Sequence, residues 1–76
     1  MTESFIGNRI AELVKVKKIS TIKMSEDLAQ SKDYIDYIIE HKQLPSMQSF
    51  LAICDYLELS PAEFFTELIS MINIKL

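Results

Sequence analysis

Apolar residues recur at helical spacing in five stretches of the chain, separated by polar or proline-containing breaks. In residues 4–17 the apolar stripe consists of Phe5 or Ile6, Ile10, Leu13 and Val14. Shorter repeats follow Ser20 and Ser31, and longer ones occupy residues 47–57 and the segment that begins at Pro61. Because recurrence at three and four residues places side chains on one helix face, the pattern predicts an all-α fold of five helices.

The second and third predicted helices are joined by a very short connection. Met24 and Leu28 mark the second helix, and the third carries apolar residues at Tyr34, Ile35, Ile38 and Ile39. Between Leu28 and Ser31 only Ala29 and Gln30 remain, so the two helices must cross steeply and share a contact. This pattern predicts a helix-turn-helix, in which the second helix of the pair, about residues 32–41, enters a major groove.

Serine residues stand where four of the helices should begin. Ser20 and Ser31 precede periodic runs, and Ser46 follows a proline that interrupts the pattern. Ser60 is followed by a proline and then by Glu63, which can reach back to the serine N–H. A serine hydroxyl in this position accepts a hydrogen bond from an otherwise unpaired N–H of the first turn, so each serine is predicted to cap a helix.

The charge balance of the chain restricts where nucleic acid could bind. The 76 residues carry a formal net charge of −3 with a pI near 5.0, the wrong sign for a generic nucleic-acid binder. Residues 1–42 hold seven basic and seven acidic side chains, so the deficit lies in residues 43–76. A nucleic-acid surface must therefore be a local patch on the first half. Lys15, Lys17 and Lys18 form either a solvated basic helix end or a phosphate contact.

The length and the single cysteine indicate one small intracellular domain. A lone cysteine excludes an internal disulfide, which suits a reducing cytoplasm. Cys54 lies in an apolar helical run, so an inert buried thiol is favoured over a redox sensor. The chain starts without a basic and then apolar leader, and no window approaches the roughly 20 apolar residues that span a bilayer. We expect a soluble cytoplasmic protein.

The C-terminal segment contains more apolar residues than one helix stripe requires. The excess either adds core to a small domain or forms a surface that buries against a second chain, and a homodimer is the favoured interpretation. The residues predicted to form the dimer contact are Phe65, Leu68, Ile69, Ile72, Ile74 and Leu76.

Several short stretches together form one pattern of helix spacing, capping serines and a final pair of phenylalanines. The pattern is carried by residues 6–13, 19–20, 28, 31–35, 38–42, 45–46 and 59–65. With these stretches the chain resembles the Cro and phage-repressor type of helix-turn-helix family, without a gap from residue 6 to 65. The resemblance implies a lambda-repressor-like DNA-binding domain over residues 1–76, with residues 66–76 as a C-terminal extension. It also implies a small transcriptional regulator from a prokaryote, phage or mobile element.

The chain departs from the family pattern at five positions. Thr21 replaces a glutamine that contacts phosphate, and Ser25 replaces an alanine at the helix contact, although it is small enough to allow close approach. Ala29, His41 and Glu58 stand where the family favours glycine. Left-handed backbone at a residue with a side chain costs about 1 kcal/mol, so we expect at least one of these three turns to differ.

The resemblance also implies which residues contact double-stranded DNA. The positions that would contact bases are Lys32, Asp33, Asp36 and Tyr37. Those that would contact phosphates are Lys17, Lys18, Thr21, Lys23, Lys42 and Gln43. The two aspartates oppose the approach of a polyanion, so we expect weak binding as a monomer and stronger binding as a homodimer.

An alternative function uses the same fold for protein binding. The two aspartates, a tyrosine on the third helix and the low pI favour an anti-repressor or regulatory partner with weak or no DNA binding. His41 and Cys54 lack metal-ligand spacing, and no glycine-rich phosphate loop is present. We therefore expect no catalytic residues, metal, cofactor, small-molecule ligand or membrane partner.

Overall fold

A computed structural model describes residues 3–65 and their side chains from Phe5 onward. These residues form five helices: α1 (Glu3–Lys17), α2 (Thr21–Asp27), α3 (Tyr34–Ile39), α4 (Met47–Tyr56) and α5 (Pro61–Phe64). No strand occurs between residues 3 and 65, so the predicted all-helical class is confirmed for this part of the chain. The dimer contacts predicted beyond residue 65 lie outside the described residues.

The third helix is shorter than the predicted span of 32–41. It covers Tyr34–Ile39, and residues 31–33 form the turn that leads into it. The prediction that the Ser31 hydroxyl caps this helix is wrong, because the N-cap is Asp33 and makes no side-chain capping bond. The backbone carbonyl of Ser31 instead accepts the Tyr34 N–H at 3.0 Å, which closes the turn.

The other three capping serines behave as predicted. The hydroxyls of Ser20, Ser46 and Ser60 each accept the backbone N–H three residues on, at 3.1–3.2 Å. The Glu63 carboxylate accepts the Ser60 N–H at 2.8 Å, which completes a capping box at α5. This backbone hydrogen bond, with a smaller contribution from the Ser60 side chain, lowers the pKa of Glu63.

Within two residues after each of α1, α2, α3 and α4, one residue other than glycine has a left-handed φ. The angles are 58° at Lys18, 61° at Ala29, 65° at His41 and 61° at Glu58. At each end the residue's own N–H bonds to the carbonyl three residues back, and the next N–H bonds to the carbonyl five residues back. This is the Schellman arrangement. The expectation that one of the turns at 29, 41 and 58 would avoid left-handed backbone is wrong, because two hydrogen bonds at each end offset the conformational cost.

The core collects apolar side chains from all five helices: Ile10, Leu13, Val14, Met24, Ile35, Ile38, Phe50, Ile53, Cys54, Leu57 and Phe64. Burial raises the pKa of the Cys54 thiol, in keeping with the predicted inert cysteine. Leu51 belongs to the apolar run of α4, but it is 48% exposed. The apolar face of α4 is wider than the core can cover, so Met47 and Leu51 remain at the surface.

Arginine and aromatic contacts attach α1 to α5. The Arg9 Nε donates to the Phe64 carbonyl at 2.8 Å, and its Nη2 donates to the Glu63 carbonyl at 3.2 Å. The rings of Phe5 and Phe65 stack with centroids 5.5 Å apart, while Phe64 meets Phe50 edge to face at 5.0 Å. Between residues 3 and 65, no helix is both long enough and apolar enough to cross a bilayer.

Candidate functional site

A buried serine joins α2 to α3. The Ser25 side chain is completely buried, its hydroxyl donates to the Thr21 carbonyl at 2.7 Å, and its oxygen accepts the Ile35 N–H at 3.0 Å. That N–H belongs to the first turn of α3, where Asp33 supplies no cap. Ser25 therefore caps α3 from the neighbouring helix and restricts the crossing of the pair. Sequence reasoning recognised only the small size of Ser25.

A glycine and a histidine join α3 to α1. A Cβ on Gly7 would overlap the Ile38 carbonyl oxygen and lie 2.7 Å from the His41 Cδ2. The His41 Nε2 lies 3.1 Å from the Asn8 Oδ1, within hydrogen-bond distance. Gly7 thus allows the C-terminal end of α3 to approach the backbone of α1 closely. The roles of Gly7 and Asn8 were not predictable from the sequence, since their contacts lie more than thirty residues away along the chain.

The four residues predicted to contact bases lie on α3 and on the turn before it. Lys32 is exposed in the turn, and Asp33 is the half-buried N-cap. Asp36 lies half-buried in the first turn of α3, and Tyr37 is 42% exposed one residue later. Only Asp36 and Tyr37 therefore belong to the helix, while Lys32 and Asp33 precede it.

The residues predicted to contact phosphates lie at the ends of three helices. Lys17 is the last residue of α1, and Lys18 follows it with left-handed backbone. Thr21 begins α2 and is half-buried, whereas Gln43 is exposed in the segment between α3 and α4. Among the described side chains, those of residues 5–65, the lysines at 15, 17, 18 and 32 have no carboxylate within 4.0 Å.

Lys42 is paired with groups of its own chain. Its Nζ lies 3.1 Å from the Glu40 Oε1 and 5.5 Å from the centre of the Tyr37 ring. The hydrogen bond to Glu40, together with the charge of that carboxylate, raises the pKa of Lys42. A separation of two residues is not a helical neighbour spacing, so sequence reasoning did not find this pair. The pair forms because α3 ends before Lys42.

Lys23 has a different carboxylate partner. Its Nζ lies 3.5 Å from the Asp27 Oδ2, one helical turn along α2. The same oxygen accepts the Tyr56 hydroxyl of α4 at 2.8 Å. This hydrogen bond raises the pKa of Tyr56. The i,i+4 spacing of Lys23 and Asp27 was visible in the sequence, but the fixing of Asp27 by α4 was not.

The α2–α3 segment carries more negative than positive charge. Residues 20–43 contain three lysines and five carboxylates, a formal net charge of −2. The three lysines at the end of α1 bring this to +1 when they are included. A net positive charge over residues 15–43 therefore depends on the three lysines of residues 15–18, which precede α2 in the sequence.

An open apolar groove lies away from α2 and α3. It encloses about 350 Å³ and is lined by Ile6, Pro45, Met47, Phe50 and Phe65. Met47 is 71% exposed, which makes it the most exposed apolar side chain of the groove. Phe65 was predicted as a dimer contact, and within the described residues it also packs in the aromatic cluster of its own chain.

No family model, curated protein or solved structure matches this chain. Among residues 3–65, no group of three or more His, Cys, Asp or Glu side chains is arranged to hold a metal ion.

Proposed function

We propose that this protein is a helix-turn-helix transcriptional regulator that binds double-stranded DNA through α2 and α3. The observation that carries the proposal is the α2–α3 pair itself. The two helices are joined by residues 28–33 and locked by the buried Ser25 hydroxyl, while Tyr37 of α3 faces solvent. A fixed pair of this kind can lay its second helix in a major groove and its first helix across the backbone.

The unpaired lysines support a DNA-facing role for this side of the molecule. Lys32 precedes α3, and Lys17 and Lys18 precede α2. All three are exposed, and none has a carboxylate within 4.0 Å in the described part of the chain. Cations without internal partners are available to phosphate oxygens, and their counterions are released when DNA binds.

In this proposal the regulator acts as a homodimer on a palindromic site. Two copies double the number of lysine–phosphate contacts and place one α3 at each half of the palindrome, so the dimer binds more tightly than one copy. The apolar C-terminal sequence after Phe65 supplies a dimer contact of the expected chemistry. Repression through occlusion of a promoter is the simplest outcome for a protein of this size.

Fluorescence anisotropy on random duplex DNA across a salt series tests the proposal. We expect binding at low salt that weakens steeply as salt rises, since phosphate neutralisation dominates non-specific affinity. Lys32→Ala with Lys42→Ala should flatten the slope of log K against log salt, whereas Lys32→Arg with Lys42→Arg should preserve it. Absence of binding at low salt and high protein concentration would refute DNA binding.

A second candidate function is protein binding, as an anti-repressor or regulatory partner. It is favoured by the net charge of −2 over residues 20–43 and by the exposed apolar groove. This alternative predicts weak or no DNA binding even at low salt. It also predicts that Asp36→Lys, which reverses a charge on α3, weakens capture of a protein partner, whereas the same change strengthens DNA binding in the first proposal.

A further inference from the structure

The lysine that follows α3 is held by a carboxylate of the same segment. Lys42 and Glu40 form an ion pair of 3.1 Å, with both side chains more than half exposed at 63% and 52%. The ammonium also lies over the Tyr37 ring. The Lys42 ammonium therefore already has a charged partner in the free protein, whereas among the described side chains Lys32 has none.

A carboxylate and a phosphate compete for the same ammonium group. Both have charged oxygens that accept hydrogen bonds from the ammonium N–H groups, so a hydrogen bond that Lys42 donates to one is lost to the other. An exposed ion pair is weak, because water screens it and two long side chains must be ordered. DNA makes several further contacts with the protein, so one of its phosphates can displace Glu40 from Lys42 without unfolding any helix.

We propose that Glu40 is an internal competitor that occupies Lys42 in the free protein and is displaced by a DNA phosphate. This proposal rests on the proposed DNA-binding function. Its consequence is an exchange, in which DNA binding breaks one lysine–carboxylate pair as it makes one lysine–phosphate pair. Glu40 thereby lowers affinity for every DNA sequence, and only sites with enough additional contacts retain the protein.

The other paired lysine does not fit this role. The Lys23–Asp27 distance is longer, at 3.5 Å, and Asp27 is also held by the Tyr56 hydroxyl of α4. Asp33 and Asp36 have no lysine within 4.0 Å among residues 3–65, so they repel DNA without engaging a cation. Glu40 is thus the carboxylate of this segment that can be exchanged against a phosphate without disturbing a contact between helices.

A double-mutant cycle on random duplex DNA tests the competition. Anisotropy is measured for the full chain, Glu40→Gln, Lys42→Ala and the double variant at several salt concentrations. We expect Glu40→Gln to bind roughly 2- to 5-fold more tightly at low salt, the range that corresponds to one exposed ion pair. In the Lys42→Ala background the same change should give a clearly smaller gain.

Glu26→Gln is the matched control for loss of one negative charge. Glu26 is exposed on α2, and within the described residues no lysine lies within 4.0 Å of it. A gain from Glu40→Gln that does not exceed this control, or that persists unchanged without Lys42, overturns the competition while leaving DNA binding intact. If no variant binds at low salt, the proposed function and the competition both fail. Circular dichroism of each variant establishes that the helices are retained.

Discussion

Two regions of this small molecule are held together by different forces. At the joint of α1, α2 and α3, the contacts are directional: a buried hydroxyl on a backbone N–H, and a glycine against a carbonyl. At the aromatic end, four phenylalanine rings pack at centroid distances of 5.0–5.6 Å with interplanar angles from 14° to 89°. Ring packing tolerates many angles and removes much apolar surface from water, whereas the joint permits one arrangement. The aromatic end therefore supplies stability, and the joint supplies orientation.

The largest expected effect comes from removing the most deeply buried ring of the aromatic end. Phe64 is fully buried between Phe50 and Phe65, so Phe64→Ala should lower the free energy of unfolding by about 3–5 kcal/mol. For a domain of this size such a loss is comparable to the total stability. Urea unfolding followed by circular dichroism measures it. Phe65→Ala, at a half-buried ring, should cost less. Equal losses would contradict the expectation that burial sets the size of the effect.

Removing the Ser25 hydroxyl should have a smaller effect on stability. Ser25→Ala leaves the Ile35 N–H buried without its partner, which costs about 1–3 kcal/mol. The same urea titration measures the loss, with Ser49→Ala as a control on a half-buried serine whose hydroxyl makes no such link between helices. If both variants unfold at the same urea concentration, the α2–α3 crossing is set by packing alone.

A methyl group on Gly7 should test the close approach of α1 and α3. Gly7→Ala forces the Ile38 carbonyl and the His41 ring to move, at a cost of about 1–3 kcal/mol for overpacking. Better helix propensity returns up to about 1 kcal/mol, so the net loss should be below that of Ser25→Ala. Thermal denaturation provides the comparison. A variant more stable than the parent protein would show that the contact between α1 and α3 adjusts to an added methyl group without cost.

The smallest expected effect is the pH dependence of the capping box at α5. Because the pKa of Glu63 is lowered in the folded protein, its contribution is complete above the ordinary value of 4.5 and is lost as pH falls through the folded pKa. The melting temperature of Glu63→Gln should therefore differ from that of the parent above pH 4.5, and the difference should shrink in acid. A difference that stays constant with pH would assign the effect to the hydrogen bond alone.

Most features that depend on near neighbours in sequence were predictable, although the cap predicted at Ser31 was wrong. The caps at Ser20, Ser46 and Ser60 are hydrogen bonds between residues three apart in the sequence. The burial of Cys54 follows from the spacing of apolar residues in its helix. The bond from Ser25 to Ile35 was not predictable, since it depends on the angle at which two helices cross.

Among the predicted DNA contacts, exposure was easier to infer than position or pairing. Lys32 is exposed, but it lies in the turn before α3 and not on the helix as predicted. Lys42 is paired with Glu40, because the early end of α3 brings the two side chains together. The left-handed backbone at Lys18 was likewise unforeseen, since nothing in the sequence marks it except the end of an apolar repeat. The exposure of Leu51 on α4 was not predictable, because periodicity reports which residues are apolar and not how much surface the core can cover.

The four left-handed helix ends have a consequence for engineering. Each holds a residue with a Cβ where glycine would fit without steric cost, so the native state carries conformational strain that selection has left in place. Glu58, which lies outside residues 20–43 and outside the core, is the position where glycine could relieve this strain without changing the α2–α3 pair. A more heat-resistant form of the domain can therefore be reached by simplifying its turns, with every buried side chain unchanged.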